Sequence, residues 1–444
     1  MRDPRGSLAL DAASAVRTLV APLPQDDWLC SAQAARMVDQ GQLLPFEIES
    51  ATRVVSPRLP FVTMPSEWSA AQLHAAAELT LDIADELLTT GHELKDASAW
   101  NVLFDGCRPR FCDHLSMQPI RTRQWAPMGQ FARHFSFALE AARRAGLPPH
   151  QLFRAWRDGL PEDVARRMLG LRGWFSRCAP LLWTTAASAR APASGAVATE
   201  TATDASASFH RGLLSLLRFS LGRAPSALSG WSGYTGSDGR LHYQEDQLDL
   251  KRRTVSEWTR RIAPDWVLDL GCNTGEFTDI ALEQPDARVV AVDIDPESIG
   301  RLFTRHRGQG RIHPLVASLD DLPGPRGWGG AEVPGLMQRL TERRFDVVYV
   351  LALLHHLLVT SSIPPRRVAE WLVQLKVRHV VAELIGQADP MMRMLCARFN
   401  RDPREMDLPV QRLALEQAGF RIEAETALPG TQRVLVLLRN THAV

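Results

Sequence analysis

The hydrophobic pattern of the chain changes character near residue 266. From there on, apolar residues come in short unbroken runs: WVLDLG (266–271), ARVVAVDID (287–295), RIHPLVAS (311–318), FDVVYVLA (345–352) and HVVAELI (379–385). Helical patterns separate most of them. Continuous apolar strands alternating with helices predict a parallel sheet buried on both faces. The end differs: FRIEAETAL (420–428) and QRVLVLLRN (432–440) flank Pro429-Gly430, the signature of an antiparallel hairpin.

Before residue 266 the periodicity is mostly helical. Residues 68–90 carry apolar positions at helical spacing and stop at Gly91. VLF and PRFCDHLS around Asp105-Gly106 predict a short hairpin, and 125–183 again read as helix. Residues 185–208 are nearly all Ala, Ser, Thr, Gly and Pro, too little bulky apolar surface to offset ordering entropy, and predict a flexible linker. The expected division is an N-terminal domain over 1–184, the linker over 185–208, a helical or lid segment over 209–262 and an α/β domain over 263–444.

Composition narrows the class without choosing the function. The 444 residues are 45% hydrophobic and 23% charged with a net charge of +1, which gives no basic footprint for nucleic acid. Six cysteines at unpaired spacings read as reduced thiols, with neither a disulfide frame nor a metal cluster. No apolar run approaches membrane-spanning length, so a cytoplasmic protein with no membrane partner is expected.

The candidate chemistry sits where the first buried strand ends. In Val267-Leu-Asp-Leu-Gly-Cys-Asn-Thr-Gly-Glu-Phe277 the chain turns through Gly271, Cys272, Asn273 and Gly275 into a helix. Open α/β sheets bind ligands at that edge. A dinucleotide site sets a glycine, not Glu276, at the sixth position from Gly271, and a carboxylate there repels pyrophosphate. Asp269 and Glu276 form an acidic mouth suited to the cationic, phosphate-free S-adenosylmethionine; Glu276 acting only on the helix dipole is the plainer alternative. Asp293, ending the second strand, is placed to accept ribose hydroxyls beside Ile294, whereas Asp295 is the helix cap. Ser318, Leu319 and Asp320 follow the third strand, where adenine contacts arise, and Leu351 ends the fourth. For transfer itself, His355 or His356 is a candidate base and Glu383 a candidate acceptor contact; packing of the two histidines against the sheet is the competing reading.

LDLGCNTGEF, VVAVDIDP, FDVVYVLALLHHL and the closing hairpin resemble class I S-adenosylmethionine-dependent methyltransferases over roughly residues 229–444. More narrowly the chain is similar to a bacterial group in which a segment containing Trp231, Tyr234, Tyr243 and Lys251 recurs before the first strand. The resemblance implies a doubly wound, Rossmann-like, seven-stranded α/β sheet, and a lid role for that segment unless its aromatics only pack the domain edge. In the N-terminal half, Asp96, Asn101 and Asp113 resemble, by spacing, the catalytic loop and metal-binding residues of the aminoglycoside phosphotransferase and protein-kinase-like fold. The departures are Leu94 two residues before Asp96, no lysine before Lys95 and no Gly-rich phosphate loop. The resemblance implies a mainly helical, degenerate kinase-like domain. The expected function is methyl transfer to a small-molecule or carrier-bound acceptor. The rivals are a bifunctional protein with a working phosphotransferase half and a non-catalytic S-adenosylmethionine-binding regulator.

Overall fold

A computed structural model describes residues 5–122, 125–182, 203–225 and 243–442. The chain divides into two compact units, Met1–Ala227 and Leu228–Val444. The predicted linker lies mostly outside the described residues, as do Trp231 and Tyr234 of the predicted lid. A helix, Thr203–Leu221, begins inside the last residues assigned to that linker and belongs to the first unit, apart from the rest of the 209–262 segment.

The second unit is built on a seven-stranded sheet. Its strands are β9 (Trp266–Leu270), β10 (Arg288–Asp293), β11 (Ile312–Val316), β12 (Val347–Val350), β13 (His379–Ile385), β14 (Phe420–Ala427) and β15 (Arg433–Asn440). The order across the sheet is β11-β10-β9-β12-β13-β15-β14. Strands β9 to β13 run parallel, and β15 is inserted antiparallel between β13 and β14. This is the doubly wound sheet with a closing hairpin that the apolar runs predict. Val267, Leu268 and Leu270 of the central β9 are buried, each contributing about 1.5–3 kcal/mol by leaving water. The strand order reverses at β9, with β10 on one side and β12 on the other, which opens a crevice at the carboxyl edge.

The first unit opens with a four-stranded antiparallel sheet: β1 (Gly6–Leu10), β2 (Ser14–Leu19), β3 (Glu47–Ser50) and β4 (Arg53–Pro57), in the order β1-β2-β4-β3. Little in their sequence announces these strands, because β1 and β3 are largely exposed and show no apolar alternation. The helix Ala70–Leu88 follows, opened by a capping box in which Ser69 and Gln72 bond each other's backbone. Short strands β5 (His92–Leu94), β6 (Val102–Asp105), β7 (Arg108–Phe111) and β8 (Met117–Pro119) come next. β6 and β7 form the hairpin expected at Asp105-Gly106, with Gly106 at φ 65°. The rest of the unit is helical.

Candidate active site

The bend after β9 is fixed by the protein's own core. Gly271, Asn273 and Gly275 all have positive φ, 71°, 49° and 90°. Glycine adopts this region freely and Asn tolerates it better than most residues, which accounts for these residue types. The N–H groups of Gly271 and Cys272 both donate to the Val292 carbonyl, at 2.8 and 3.1 Å, tying the bend to β10. A side chain at Gly275 would collide with Leu302 of the helix Pro296–Arg305. Gly275 therefore sets the packing of the bend on that helix and does not line the crevice.

The crevice itself has a volume of about 360 Å³. Asp269, Gly271, Cys272, Asn273 and Glu276 form one wall, Asp293 and Ile294 the next. Ser318, Leu319 and Asp320 lie beyond β11, and Leu351 beyond β12. Sequence reasoning missed Arg252, Phe277, Thr360 and Ser361, which also line it. The last two follow β12 because the chain there makes a wide π-helical turn, His356–Thr360.

Two carboxylates, Asp269 buried and Asp293 half-buried, give the crevice its electrostatic character. Asp293 accepts the N–H of Asn273 at 2.7 Å on one oxygen and that of Asp295 at 2.8 Å on the other. Burial nevertheless pushes its carboxyl up to about 6. Asp269 accepts the Thr278 hydroxyl at 2.6 Å, and burial pushes it up to about 7. Asp295 caps the next helix through the N–H groups of Glu297 and Ser298, as the sequence suggests. Asp320 is held by the hydroxyls of Ser318 and Ser361, and these bonds keep its carboxyl low.

The acidic mouth is smaller than expected. Glu276 bonds the Arg252 guanidinium, so its charge is matched on the spot. Lys251, the other cation on the wall, places Nζ 2.6 Å from Glu383 Oε2. Both cations are thus neutralised by their own carboxylates, which leaves the unmatched charge to Asp269, Asp293 and Asp320. That donor set fits a cationic nucleoside with free hydroxyls and offers nothing to a pyrophosphate.

Two of the three candidate catalytic residues lie off the crevice. Glu383 is buried beneath it and accepts from Lys251, from the Tyr243 hydroxyl, from Arg433 at 3.2 Å and from the Ala352 N–H at 2.9 Å. Against the burial that would raise it, Lys251 and Arg433 hold its carboxyl down at about 2. With every lone pair engaged it has none left for an acceptor amine. Arg433 in turn bonds Asp389, with Nε 2.7 Å from Oδ2. His355 is fully buried, its two ring nitrogens without hydrogen-bond partners among the described residues. Burial drives its basicity far down. His356 does line the crevice, its ring centroid 4.1 Å from that of His355, and burial lowers it to about 4.

In the first unit Asp96, Asn101 and Asp113 are each engaged by protein partners. Asn101 donates its amide to Asp96, and Asp113 Oδ1 lies 3.1 Å from Nη1 of Arg17 on β2. Both members of that ion pair are buried. Among the described residues no group of three or more His, Cys, Asp or Glu side chains is placed to hold a metal.

The seven-stranded sheet with a glycine bend and an acid ending its second strand is the arrangement that the resemblance to S-adenosylmethionine-dependent methyltransferases implies. Residues 268–379, within the C-terminal unit, match the family model described as a methyltransferase domain. Over nearly its whole length the chain is similar to the nodulation protein NoeA of Rhizobium meliloti (strain 1021), at 29% identity, covering 98% of this chain and 94% of NoeA. Among solved structures, WbdD matches at 21% identity over 46% of this chain and 42% of its own, with a TM-score of 0.31. The N-methyltransferase NodS of Bradyrhizobium japonicum WM9 in complex with S-adenosyl-L-homocysteine matches at 18% identity over 42% of this chain and 86% of its own, with a TM-score of 0.30. The chain thus spans less than half of WbdD.

Proposed function

We propose that the chain transfers a methyl group from S-adenosylmethionine to a small-molecule or carrier-bound acceptor entering the crevice at the carboxyl edge of the sheet. The observation that carries this reading is the Asp293 carboxylate. It is half-buried at the end of β10, accepts a backbone N–H on each oxygen, and lines the crevice where a pair of hydroxyls can reach it. In this assignment Asp293 takes the ribose, flanked by Ile294. Gly271, Cys272 and Asn273 let the backbone approach the amino-acid end, and Asp269 supplies negative potential beneath it. Ser318, Leu319 and Asp320 border the adenine, and Leu351 closes the site at β12. Gly275 acts one step back by seating the bend, and Glu276 with Arg252 closes the rim.

S-Adenosylmethionine, when bound, supplies a methyl group already activated by its sulfonium, so the protein's main task is to orient an incoming nucleophile and exclude water. His356 is neutral at physiological pH, the form that accepts a proton from an acceptor that must lose one. Glu383 and His355 act from behind: Glu383 anchors Tyr243 and Lys251 at the crevice wall, and His355 packs under His356.

The first unit is read as a kinase-like scaffold or acceptor-binding module. The Arg17–Asp113 ion pair supports this over an active phosphotransferase, because the carboxylate that would hold a metal already has a resident cation. The likeness to NoeA runs through both units, which favours one protein with a shared task. The test is heat stabilisation of the full chain by S-adenosylhomocysteine but not by NAD, followed by a labelled-methyl transfer screen. Stabilisation by NAD alone defeats the proposal.

A further inference from the structure

A second feature of the first unit has no part in either site. The helix Glu162–Leu169 ends at Gly170, whose backbone (φ 51°, ψ −139°) suits glycine and little else. The chain then makes a tight 3-10 turn, Gly170–Phe175. Its apolar side chains stand outward: Leu171 is 82% exposed, Trp174 57% and Phe175 85%. Phe219 on the helix Thr203–Leu221 is 55% exposed, and the Arg177 guanidinium lies 5.1 Å from its ring centroid. Single exposed apolar residues are ordinary, but a cluster of this size marks a contact surface.

The surroundings say what kind of surface. Arg144 donates to the Phe175 carbonyl at 3.1 Å, and Arg143 to the Leu221 carbonyl at 2.7 Å. With Arg166, Arg167, Arg172 and Arg177, these arginines outnumber the nearby Glu140, Glu162 and Asp163. All three carboxylates are already engaged: Glu140 bonds Arg143 and Arg144, Glu162 faces Arg166 at 3.5 Å, and Asp163 bonds Arg167 at 2.6 Å. The patch is therefore a projecting aromatic and leucine tip inside a positively charged rim.

We propose that this turn rests on the surface of an anionic lipid bilayer, its apolar residues entering the boundary between headgroups and acyl chains while the arginines stay at the lipid phosphates. Trp, Phe and Leu flanked by arginine are the residues such a boundary selects, and arginine can keep its stem in the apolar layer with its head in water. Side chains that project singly from a short turn suit a soft, groove-free surface, and the excess positive charge favours anionic lipid. No helix among the described residues is long and apolar enough to cross a membrane, so the contact is peripheral. The expectation of no membrane partner rested on the lack of a long apolar run, and an interfacial turn requires none.

Sedimentation of the full chain with phosphatidylglycerol-rich vesicles, against phosphatidylcholine alone, tests this. Partition onto the anionic vesicles should be at least about tenfold stronger and should weaken with added salt. The double variant Leu171→Ser/Phe175→Ser should lower it about tenfold, with melting temperature and S-adenosylhomocysteine binding unchanged. Arg172→Glu supplies a second variant that removes charge and leaves the apolar tip intact, and it too should lower partition. The proposal is overturned if the full chain ignores anionic vesicles or if the variants bind as well as the parent. A dimer that the double substitution separates, with no vesicle binding, would assign the patch to a second copy instead and equally overturn it.

Discussion

Lys251 and Glu383 meet as a buried ion pair, Nζ to Oε2 at 2.6 Å, joining the helix Glu245–Ile262 to the end of β13. Tyr243 and Arg433 complete the cluster around the same carboxylate, and Asp389 balances Arg433. The charges cancel within the group, so removing one member strands another in a low-dielectric setting.

Lys251→Met is accordingly expected to cost about 3–5 kcal/mol of stability in urea titrations of the C-terminal transition. Lys251→Met combined with Glu383→Gln should cost less than the sum of the single changes. The sign of the acid dependence follows from the lowered carboxyl. Stability contributed by Glu383 is complete above the ordinary carboxylate value of 4.5 and disappears as pH falls toward about 2. Glu383→Gln should flatten that part of the acid-unfolding curve.

Asp293→Asn should weaken S-adenosylmethionine binding by about tenfold to a hundredfold in calorimetry, the worth of a charged hydrogen-bond acceptor. The fold should survive, because the amide can still accept one of the two backbone N–H groups. An unchanged affinity would remove Asp293 from the ribose position.

Binding should also depend on pH in a defined direction. Asp269 and Asp293 have folded values of about 7 and about 6 against an ordinary 3.8, so the folded protein takes up protons that the unfolded chain does not. Stability without ligand should therefore fall as pH rises from about 4 to about 7. Affinity for the cationic ligand should rise over the same upper range as the carboxylates ionise. Melting curves with and without S-adenosylmethionine between about pH 5.5 and about 8 measure both trends.

The two histidines should separate cleanly. His356→Ala should lower methyl transfer by about 10²–10⁴-fold for an acceptor that must lose a proton, with cofactor affinity kept. His355→Leu replaces a buried ring whose nitrogens have no partners among the described residues, so it should be neutral or stabilising and leave transfer intact. If His355→Leu abolishes transfer while His356→Ala does not, the assignment is reversed.

In the first unit, Arg17→Met should destabilise by about 3–5 kcal/mol by stranding Asp113. Magnesium with ATP should give the parent chain no heat stabilisation. Stabilisation that disappears in Asp113→Ala would instead establish a working nucleotide site.

Much of the second unit is legible in the amino-acid order because strands buried on both faces, such as β9 and β10, are written as unbroken apolar runs. The bend is legible too, since positive φ restricts residue choice at Gly271 and Asn273. Partners that come from distant parts of the chain are not. Nothing local to Glu383 announces Arg433, fifty positions on, or warns that the carboxylate is already spent. A hint existed: Arg433 is a charge directly ahead of the apolar run VLVLL, and Lys251 is one of three lysines in the chain. Arg17 was hidden for another reason, since β1 beside its strand is mostly exposed and carries no periodic signal.

The meeting of Gly275 with Leu302 has a kinetic corollary. Because the turn is shaped by a neighbouring helix and not by its guest, the empty protein already holds the contour that a nucleoside needs. Little ordering is left to accompany capture, so association should be fast, with differences among analogues showing mainly in how long each one stays.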